Sequence, residues 1–96
     1  MDKDGWVYVV ASKTLVLYIG VTNDIGRRAW EHREHLVEGF TKRYNCDRLI
    51  YMEHYPTIEE AIAREKQLKK WRRQKKLWLI KQMNPELRDF YDELNA

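Results

Sequence analysis

The stretch WVYVVASKTLVLYIG, residues 6–20, decides the fold. It contains two runs rich in β-branched and aromatic residues on either side of a short polar segment, SKT, and this pattern predicts a β-hairpin. With SKT as the loop, Tyr8 lies directly opposite Tyr18. Directly opposed residues of an antiparallel pair share one face of the sheet, so the hairpin brings two phenol rings side by side.

A helix is predicted directly after the hairpin. Either Thr22 or Asn23 supplies the side-chain oxygen that caps its first turn, and the helix extends to about Leu36. Its inward stripe consists of Ile25, Ala29, His32 and Leu36. Arg28 and His32 are four positions apart, so they are neighbours on the surface of this helix.

The second half of the chain reads as one strand followed by helices. Residues 48–54 alternate as a third strand, and Thr57 with Glu60 forms a capping box that announces a helix. The basic run that follows predicts two helices with a break near Trp71, and Pro85 marks the start of a last helix. The predicted order is ββαβααα, an α+β fold with a small three-stranded antiparallel sheet flanked by helices.

Length and composition favour a single globular domain. The chain has 96 residues, of which 44% are hydrophobic and 34% charged. We expect one domain over residues 1–96, with its core at about 6–84 and a C-terminal helix at about 85–94. The single cysteine, Cys46, excludes an internal disulfide, and neither a secretion signal nor a membrane span is apparent. A cytoplasmic location is the expectation.

Positive charge is concentrated in residues 58–82, which hold nine Lys or Arg and three acidic residues. Such a segment contacts a nucleic-acid backbone, lies on an anionic membrane, or is simply a solvated helix face. We disfavour the membrane because Leu68, Trp71 and Trp78 are expected in the core. The candidate nucleic-acid contacts are Arg27, Lys69, Lys70, Arg72, Arg73, Lys75 and Lys76.

Four side chains of the hairpin and first helix form a candidate catalytic group: Tyr8, Tyr18, Arg28 and His32. An arginine matches the oxygens of a phosphodiester, and a phenol or an imidazole can orient or deprotonate a water. Glu65, an acid between basic neighbours, is the candidate ligand for one Mg²⁺ or Mn²⁺. The alternatives are that the tyrosines only pack, that Arg28 is solvated, and that Glu65 pairs with Lys69 four residues on.

This ordered set resembles the GIY-YIG nuclease family over about residues 6–84. The first half-motif reads Val7-Tyr8-Val9 and departs from the family's Gly-Ile-Tyr, whereas the second, Tyr18-Ile19-Gly20, is intact. The resemblance implies that Tyr8, Tyr18, Arg28 and His32 are catalytic residues, that Glu65 is the metal ligand, and that Gly20 and Asn84 are motif and supporting residues.

The leading hypothesis is therefore a metal-dependent endonuclease that hydrolyses DNA phosphodiester bonds. Branched, nicked or damaged DNA in repair or recombination is the substrate considered. The rival is a module of the same fold that binds nucleic acid without cutting it. A third alternative is a subunit that depends on a partner protein for targeting.

Overall fold

The chain forms a three-stranded antiparallel sheet with helices on both of its faces. The computed structural model describes residues 4–94; residues 1–3 and 95–96, which the predicted domain includes, lie outside the described part. The elements are β1 (Gly5–Ala11), β2 (Leu17–Thr22), α1 (Ile25–Arg33), α2 (Phe40–Arg43), β3 (Arg48–Tyr55), α3 (Ile58–Lys69), α4 (Arg73–Met83) and α5 (Tyr91–Leu94). The α+β prediction is confirmed, with the short α2 as the one element it lacked.

The sheet has the strand order β2-β1-β3, and the register of the hairpin differs from the prediction. Tyr8 lies opposite Gly20, and Tyr18 lies opposite Val10. The turn begins one residue later than expected, because Ser12 pairs with Val16 and Leu15 adopts a left-handed φ of 64°. Tyr8 and Tyr18 still share a face, since the partner of each residue moved by two positions and side chains alternate with a period of two.

The two faces of the sheet carry separate cores. One face is covered by α3 and α4 through Ala61, Leu68 and Ile80. The other is covered by α1 and the C-terminal segment through Ile25, Ala29 and Phe90, and Tyr8 belongs to this second core. Because α3 packs on the first face and Tyr8 lies on the second, the sheet stands between Glu65 and Tyr8. The path between these two residues runs around the edge strand β2.

The first helix starts later and ends earlier than predicted. Asp24, and neither Thr22 nor Asn23, is the N-cap of α1, accepting a hydrogen bond from the Arg27 amide at 3.1 Å. The helix ends at Arg33, so Leu36 is exposed rather than part of the inward stripe. The predicted capping box is confirmed, because the Glu60 amide donates to the hydroxyl of Thr57 at 3.3 Å. The predicted break near Trp71 also separates α3 from α4.

The predicted C-terminal helix over 85–94 is wrong for most of its length, because only Tyr91–Leu94 is helical. The buried side chain of Asn84 donates to the Arg88 carbonyl at 2.8 Å and accepts from the Arg88 amide at 2.9 Å. These bonds close a turn where a helix would have continued. The amide of Phe90 then donates to the Leu49 carbonyl at 2.7 Å and ties the segment to β3.

Two observations bear on the membrane question. Within residues 4–94, every helix is too short or too polar to cross a bilayer. Of the three residues expected in the core, Leu68 is buried and Trp71 packs against the core of the first face, but Trp78 is 57% exposed. Trp78 lies on the outer side of α4, so its assignment to the core was wrong.

Candidate active site

Gly20 provides the space in which the Tyr8 ring lies. A Cβ atom added at Gly20 would sit 2.4 Å from the Tyr8 hydroxyl oxygen and 2.5 Å from its Cζ. Ordinary contacts to such an atom are about a full ångström longer, so any side chain at position 20 would displace the ring. The hairpin register places glycine directly opposite Tyr8, and this explains the glycine of the Tyr18-Ile19-Gly20 motif in physical terms.

Tyr8 is buried and forms a hydrogen bond with His32 of α1. The distance between the Tyr8 hydroxyl oxygen and His32 Nε2 is 2.9 Å, and the ring centroids are 5.3 Å apart. The other ring nitrogen, Nδ1, is buried without a hydrogen-bond partner. Sequence spacing placed these two rings near each other, but the direct bond between them follows only from the packing of α1 on the sheet.

The buried pair is held in its neutral form. Burial raises the pKa of Tyr8 to about 12, and the nearby Arg28 opposes this rise only in part. Burial, followed by the positive charge of Arg28, lowers the pKa of His32 to about 4. At neutral pH the pair therefore consists of a phenol and a neutral imidazole.

The direction of the Tyr8–His32 bond depends on which ring nitrogen of His32 carries the proton. With the proton on Nδ1, Nε2 accepts a hydrogen bond from the Tyr8 hydroxyl. With the proton on Nε2, the imidazole donates to the Tyr8 oxygen instead. In both cases the positive charge of the nearby Arg28 acts on the Tyr8 oxygen and lowers the pKa of the phenol against the effect of burial.

Arg28 is fixed by an acid that sequence reasoning did not identify. Its Nε donates to Glu31 at 2.9 Å, and Arg27 lies 3.5 Å from the same carboxylate. With Nε engaged, the two terminal nitrogens of Arg28 remain for Tyr8 and for a phosphate. The spacing of three and four residues on one helix was the available sequence signal for Glu31.

Tyr18 completes the group at the outer edge of the sheet. Its ring centroid lies 6.5 Å from that of Tyr8 and 6.1 Å from that of His32. On its other side, the ring stacks on Phe40 with a centroid distance of 6.1 Å and an interplanar angle of 29°. The structure thus brings together the four predicted catalytic side chains, Tyr8, Tyr18, Arg28 and His32.

Glu65 lies on α3 and reaches this edge from the other layer. Its side chain is only 19% exposed and pairs with Lys69, whose Nζ is 3.3 Å from the carboxylate. The same ammonium group lies 5.8 Å from the centroid of the Tyr18 ring. The pairing of Glu65 with Lys69, which the sequence left as an alternative, is therefore present, and the Lys69 ammonium links the acid to the sheet edge that carries Tyr18.

The donor atoms suit one weakly held hard cation better than a structural metal. Within residues 4–94, no three His, Cys, Asp or Glu side chains come close enough to form a metal-binding cluster. Mg²⁺ is commonly held by one or two carboxylates while water fills its remaining positions, and Glu65 can supply one carboxylate. Cys46 is buried and burial raises its pKa, so this thiol is inert as a ligand or nucleophile.

Several of the predicted nucleic-acid contacts take part in the fold. Arg73 donates to the Leu15 carbonyl at 2.6 Å and so holds the hairpin turn, and the Lys75 ammonium lies 4.0 Å from the centre of the Trp71 ring. The remaining residues of this set lie in three places: Arg27 is in α1, Lys76 is in α4, and Lys70 and Arg72 are in the link between α3 and α4. Asn84 donates to the Ile50 carbonyl of β3 at 3.0 Å, at the sheet edge opposite Tyr18.

Comparison with known proteins agrees with this geometry. A sequence model of the GIY-YIG catalytic domain matches residues 4–77, which assigns a domain of the nuclease type to that region. A UPF0213 protein of Staphylococcus saprophyticus is 39% identical over 80 residues, which cover 83% of this chain and 96% of that protein. A UPF0213 protein of Staphylococcus aureus strain Mu3 is 38% identical over 77 residues, covering 80% and 94% of the two chains.

One solved structure is also similar. The solution NMR structure of the UPF0213 protein BH0048 from Bacillus halodurans superimposes with a TM-score of 0.58 at 27% identity. The superposition covers 90% of this chain and 92% of that one. The small three-stranded fold described above is therefore shared along nearly the full length of both proteins.

Proposed function

This chain belongs to the GIY-YIG family, and we propose that it is a DNA endonuclease that hydrolyses phosphodiester bonds with the help of one divalent cation. The observation that carries the proposal is the convergence of two phenols, an imidazole and a guanidinium at one edge of the sheet. Tyr8 and His32 are in direct hydrogen-bond contact at 2.9 Å. Such a group supplies both a proton acceptor and a phosphate ligand, the two functions that hydrolysis of a phosphodiester requires.

In the proposed reaction a water attacks phosphorus as its proton passes to the Tyr8 oxygen. Tyr8 gives its own proton to His32 Nε2, so a neutral imidazole becomes an imidazolium. A new bond forms between phosphorus and the water oxygen, and the bond from phosphorus to the departing sugar oxygen breaks. Arg28 neutralises the charge that builds on the phosphate oxygens, while Glu31 keeps its guanidinium in place.

GIY-YIG nucleases generally use divalent metal ions. We assign Glu65 as the protein ligand of one Mg²⁺ or Mn²⁺, whose contribution is to stabilise the departing oxygen. A cation held by Glu65 would take the place of Lys69 as the partner of this carboxylate, and the Lys69 ammonium, which lies 5.8 Å from the centre of the Tyr18 ring, would then be available to the DNA backbone. Tyr18 orients the water or the phosphate at the mouth of the site.

The roles of the remaining predicted residues follow from their positions. Gly20 accommodates the Tyr8 ring, and Asn84 supports the turn beyond α4 rather than the reacting groups. The exposed cations of residues 69–76 contact DNA phosphates, which position a protein without reading sequence. We propose that the protein acts as a single domain in the cytoplasm, on DNA presented alone or by a partner protein.

Cleavage of DNA in the presence of Mg²⁺ or Mn²⁺ tests this proposal. Because general acid–base catalysis contributes about 10²–10⁴-fold, we expect Tyr8→Phe to lower the cleavage rate by at least roughly 100-fold. Glu65→Gln removes the carboxylate proposed to hold the divalent cation and should lower the rate strongly as well. Glu59→Gln, which neutralises an exposed acid in the first turn of the same helix, is the matched control and should cut at the wild-type rate.

The outcomes separate the alternatives. Equal cleavage by wild type and Glu65→Gln would refute the assignment of this acid. If no protein cuts DNA in either metal, yet all bind it in a salt-sensitive manner, the chain is a binding module that retains the fold of a nuclease.

A further inference from the structure

The exposed aromatic rings of the α2 region form a surface that the reaction above does not use. Phe40 is 46% exposed and Tyr44 is 42% exposed, and their ring centroids are 4.7 Å apart. Phe40 also stacks on Tyr18, which contacts both Tyr8 and His32. We call the series Tyr18, Phe40 and Tyr44 the aromatic track. It leads without interruption from the buried catalytic pair to solvent.

We propose that the aromatic track binds the bases of an unpaired DNA strand, so that the preferred substrate is single-stranded DNA or a single-stranded segment of a larger DNA. This inference rests on the proposed nuclease function and specifies its substrate. The edges of paired bases are accessible in a duplex, but their faces are covered by neighbouring pairs. Only an unpaired base can therefore stack on an exposed ring.

The charges around the track match a nucleic-acid strand. An open groove of about 320 Å³ lies beside it, lined by Leu17, Tyr18, Ile19, Phe40, Lys69 and Lys76. At the outer end, the Arg43 guanidinium lies 5.4 Å from the centre of the Tyr44 ring. The acids near the track have partners of their own. Glu65 pairs with Lys69, Glu38 pairs with Lys42 at 3.5 Å, and Asp47, which lines a groove together with Tyr44, bonds to His35 at 3.0 Å.

Alternation of exposed aromatic rings with cations is the arrangement that sequence-tolerant binders of single strands use. The rings receive the bases, and the ammonium and guanidinium groups receive the phosphates between them. An apolar peptide offers no negative charge to Lys76 and Arg43 beside the track. The other exposed aromatic side chains of residues 4–94, Trp30 and Trp78, make no ring contact with the track.

The position of the track relative to the catalytic group gives it a functional consequence. Tyr18 is shared, because its ring lies near Tyr8 and His32 of the catalytic group and also stacks on Phe40 of the track. A base stacked on Phe40 therefore holds a neighbouring phosphate of the same strand close to Arg28 and the Tyr8 hydroxyl. Stacking thereby selects the strand and places the bond to be cut.

The test compares binding of one labelled oligonucleotide as a single strand and as a blunt duplex, in EDTA so that no cleavage occurs. We use the double variant Phe40→Leu/Tyr44→Leu, which keeps exposed apolar side chains but removes both ring faces. A stacked base contributes ~1–3 kcal/mol, and 1.4 kcal/mol is tenfold, so single-strand affinity should fall by about tenfold or more. Duplex affinity and the salt dependence of binding should stay within about twofold, because the phosphate contacts are retained.

A matched control removes an exposed ring away from the track. Trp78→Leu should bind both forms of the oligonucleotide as wild type does. Each single variant, Phe40→Leu and Tyr44→Leu, is measured as well, with far-ultraviolet circular dichroism to confirm the fold. A strand that carries 2-aminopurine reports stacking directly: its fluorescence should be quenched on binding to wild type and recover in the double variant.

Two results would overturn the inference: tighter wild-type binding to the duplex, or equal weakening of both forms by the double variant. Preference for an RNA strand of the same sequence would overturn the assignment to DNA. Failure of the proposed nuclease function would give a different pattern. The protein would still bind the single strand selectively and quench its 2-aminopurine fluorescence, but it would not cut the strand when Mg²⁺ or Mn²⁺ is added. Cleavage without strand preference would leave the nuclease proposal intact and refute only the role of the track.

Discussion

As the pH falls below neutral, proton uptake by His32 in the unfolded chain should lower the free energy of unfolding before most other titratable groups take up protons. The imidazole has an ordinary pKa of about 6.5 in the unfolded chain, but burial and then Arg28 lower its pKa in the folded protein to about 4. The unfolded chain therefore takes up a proton in this interval, and the folded protein does not. The stabilisation is complete above pH 6.5 and is lost as the pH falls toward 4.

The size of the effect follows from the two pKa values. Linkage predicts that His32 alone lowers the free energy of unfolding by roughly 2 kcal/mol at pH 5 and by about 3 kcal/mol at pH 4, relative to pH 7. For a chain of 96 residues this is a large part of the ~5–15 kcal/mol that stabilises a typical domain. The urea concentration at the midpoint of unfolding should therefore fall markedly between pH 6.5 and pH 4.

Urea unfolding at several pH values measures this effect, and NMR titration of the imidazole signals measures the pKa of His32 directly. His32→Gln should show a flatter pH dependence than wild type between pH 6.5 and 4. Tyr8→Phe removes the hydroxyl but leaves the ring buried, so it should keep the low pKa of His32, because burial is the larger cause. Arg28→Met removes the second cause and should raise this pKa part of the way toward 6.5.

The reasoning fails if the His32 imidazole titrates at 6.5 or above in the folded wild-type protein. It also fails if His32→Gln leaves the pH dependence of unfolding unchanged. Either result would mean that the Tyr8–His32 pair is open to water, and the proposed transfer of a proton from Tyr8 to Nε2 would lose its basis.

Three further substitutions test the residues that support the fold around the site. Gly20→Ala places a methyl group 2.4 Å from the Tyr8 oxygen, so it should cost about 1–3 kcal/mol of stability and abolish detectable cleavage. Gly5→Ala creates a similar clash against α3, with Thr57 oxygen at 2.7 Å, and should destabilise the protein in urea without a comparable loss of cleavage. Asn84→Ala leaves buried backbone groups unpaired and should lower the unfolding free energy by roughly 2–4 kcal/mol while cleavage at 20 °C persists.

The type of each element was predictable from sequence where side-chain pattern and local chemistry agree. The β-branched runs of the hairpin form strands, and the capping box of Thr57 and Glu60 starts a helix. The loop position was not predictable, because Leu15 takes a left-handed backbone conformation that glycine or asparagine usually marks. The predicted C-terminal helix does not form over most of its length, because the side-chain amide of Asn84 bonds to the backbone of residue 88 and closes a turn. The proline at position 85 does not indicate this turn.

The proximity of the candidate site residues was predictable from sequence, but their arrangement was not. Face alternation placed Tyr8 and Tyr18 together even with the wrong register, since the partner of each residue shifted by two positions. The bond between Tyr8 and His32 joins residues 24 positions apart and depends on how α1 crosses the sheet. The ring contact of Phe40 with Tyr44 arises in a segment that was read as an irregular connection, so its aromatic residues had no face assigned to them.

The pKa values of Tyr8 and His32 also determine the protonation state of the pair at rest. Transfer of the Tyr8 proton to His32 in the resting site moves it from a group with a pKa of about 12 to one with a pKa of about 4. That difference corresponds to on the order of 10 kcal/mol. Attraction between the resulting phenolate and imidazolium, ~6 kcal/mol at an effective dielectric constant of about 20, offsets only part of it. The resting pair therefore stays a phenol and a neutral imidazole, and in the proposed reaction Tyr8 has to gain the proton of the water as it gives up its own, so that no free phenolate forms.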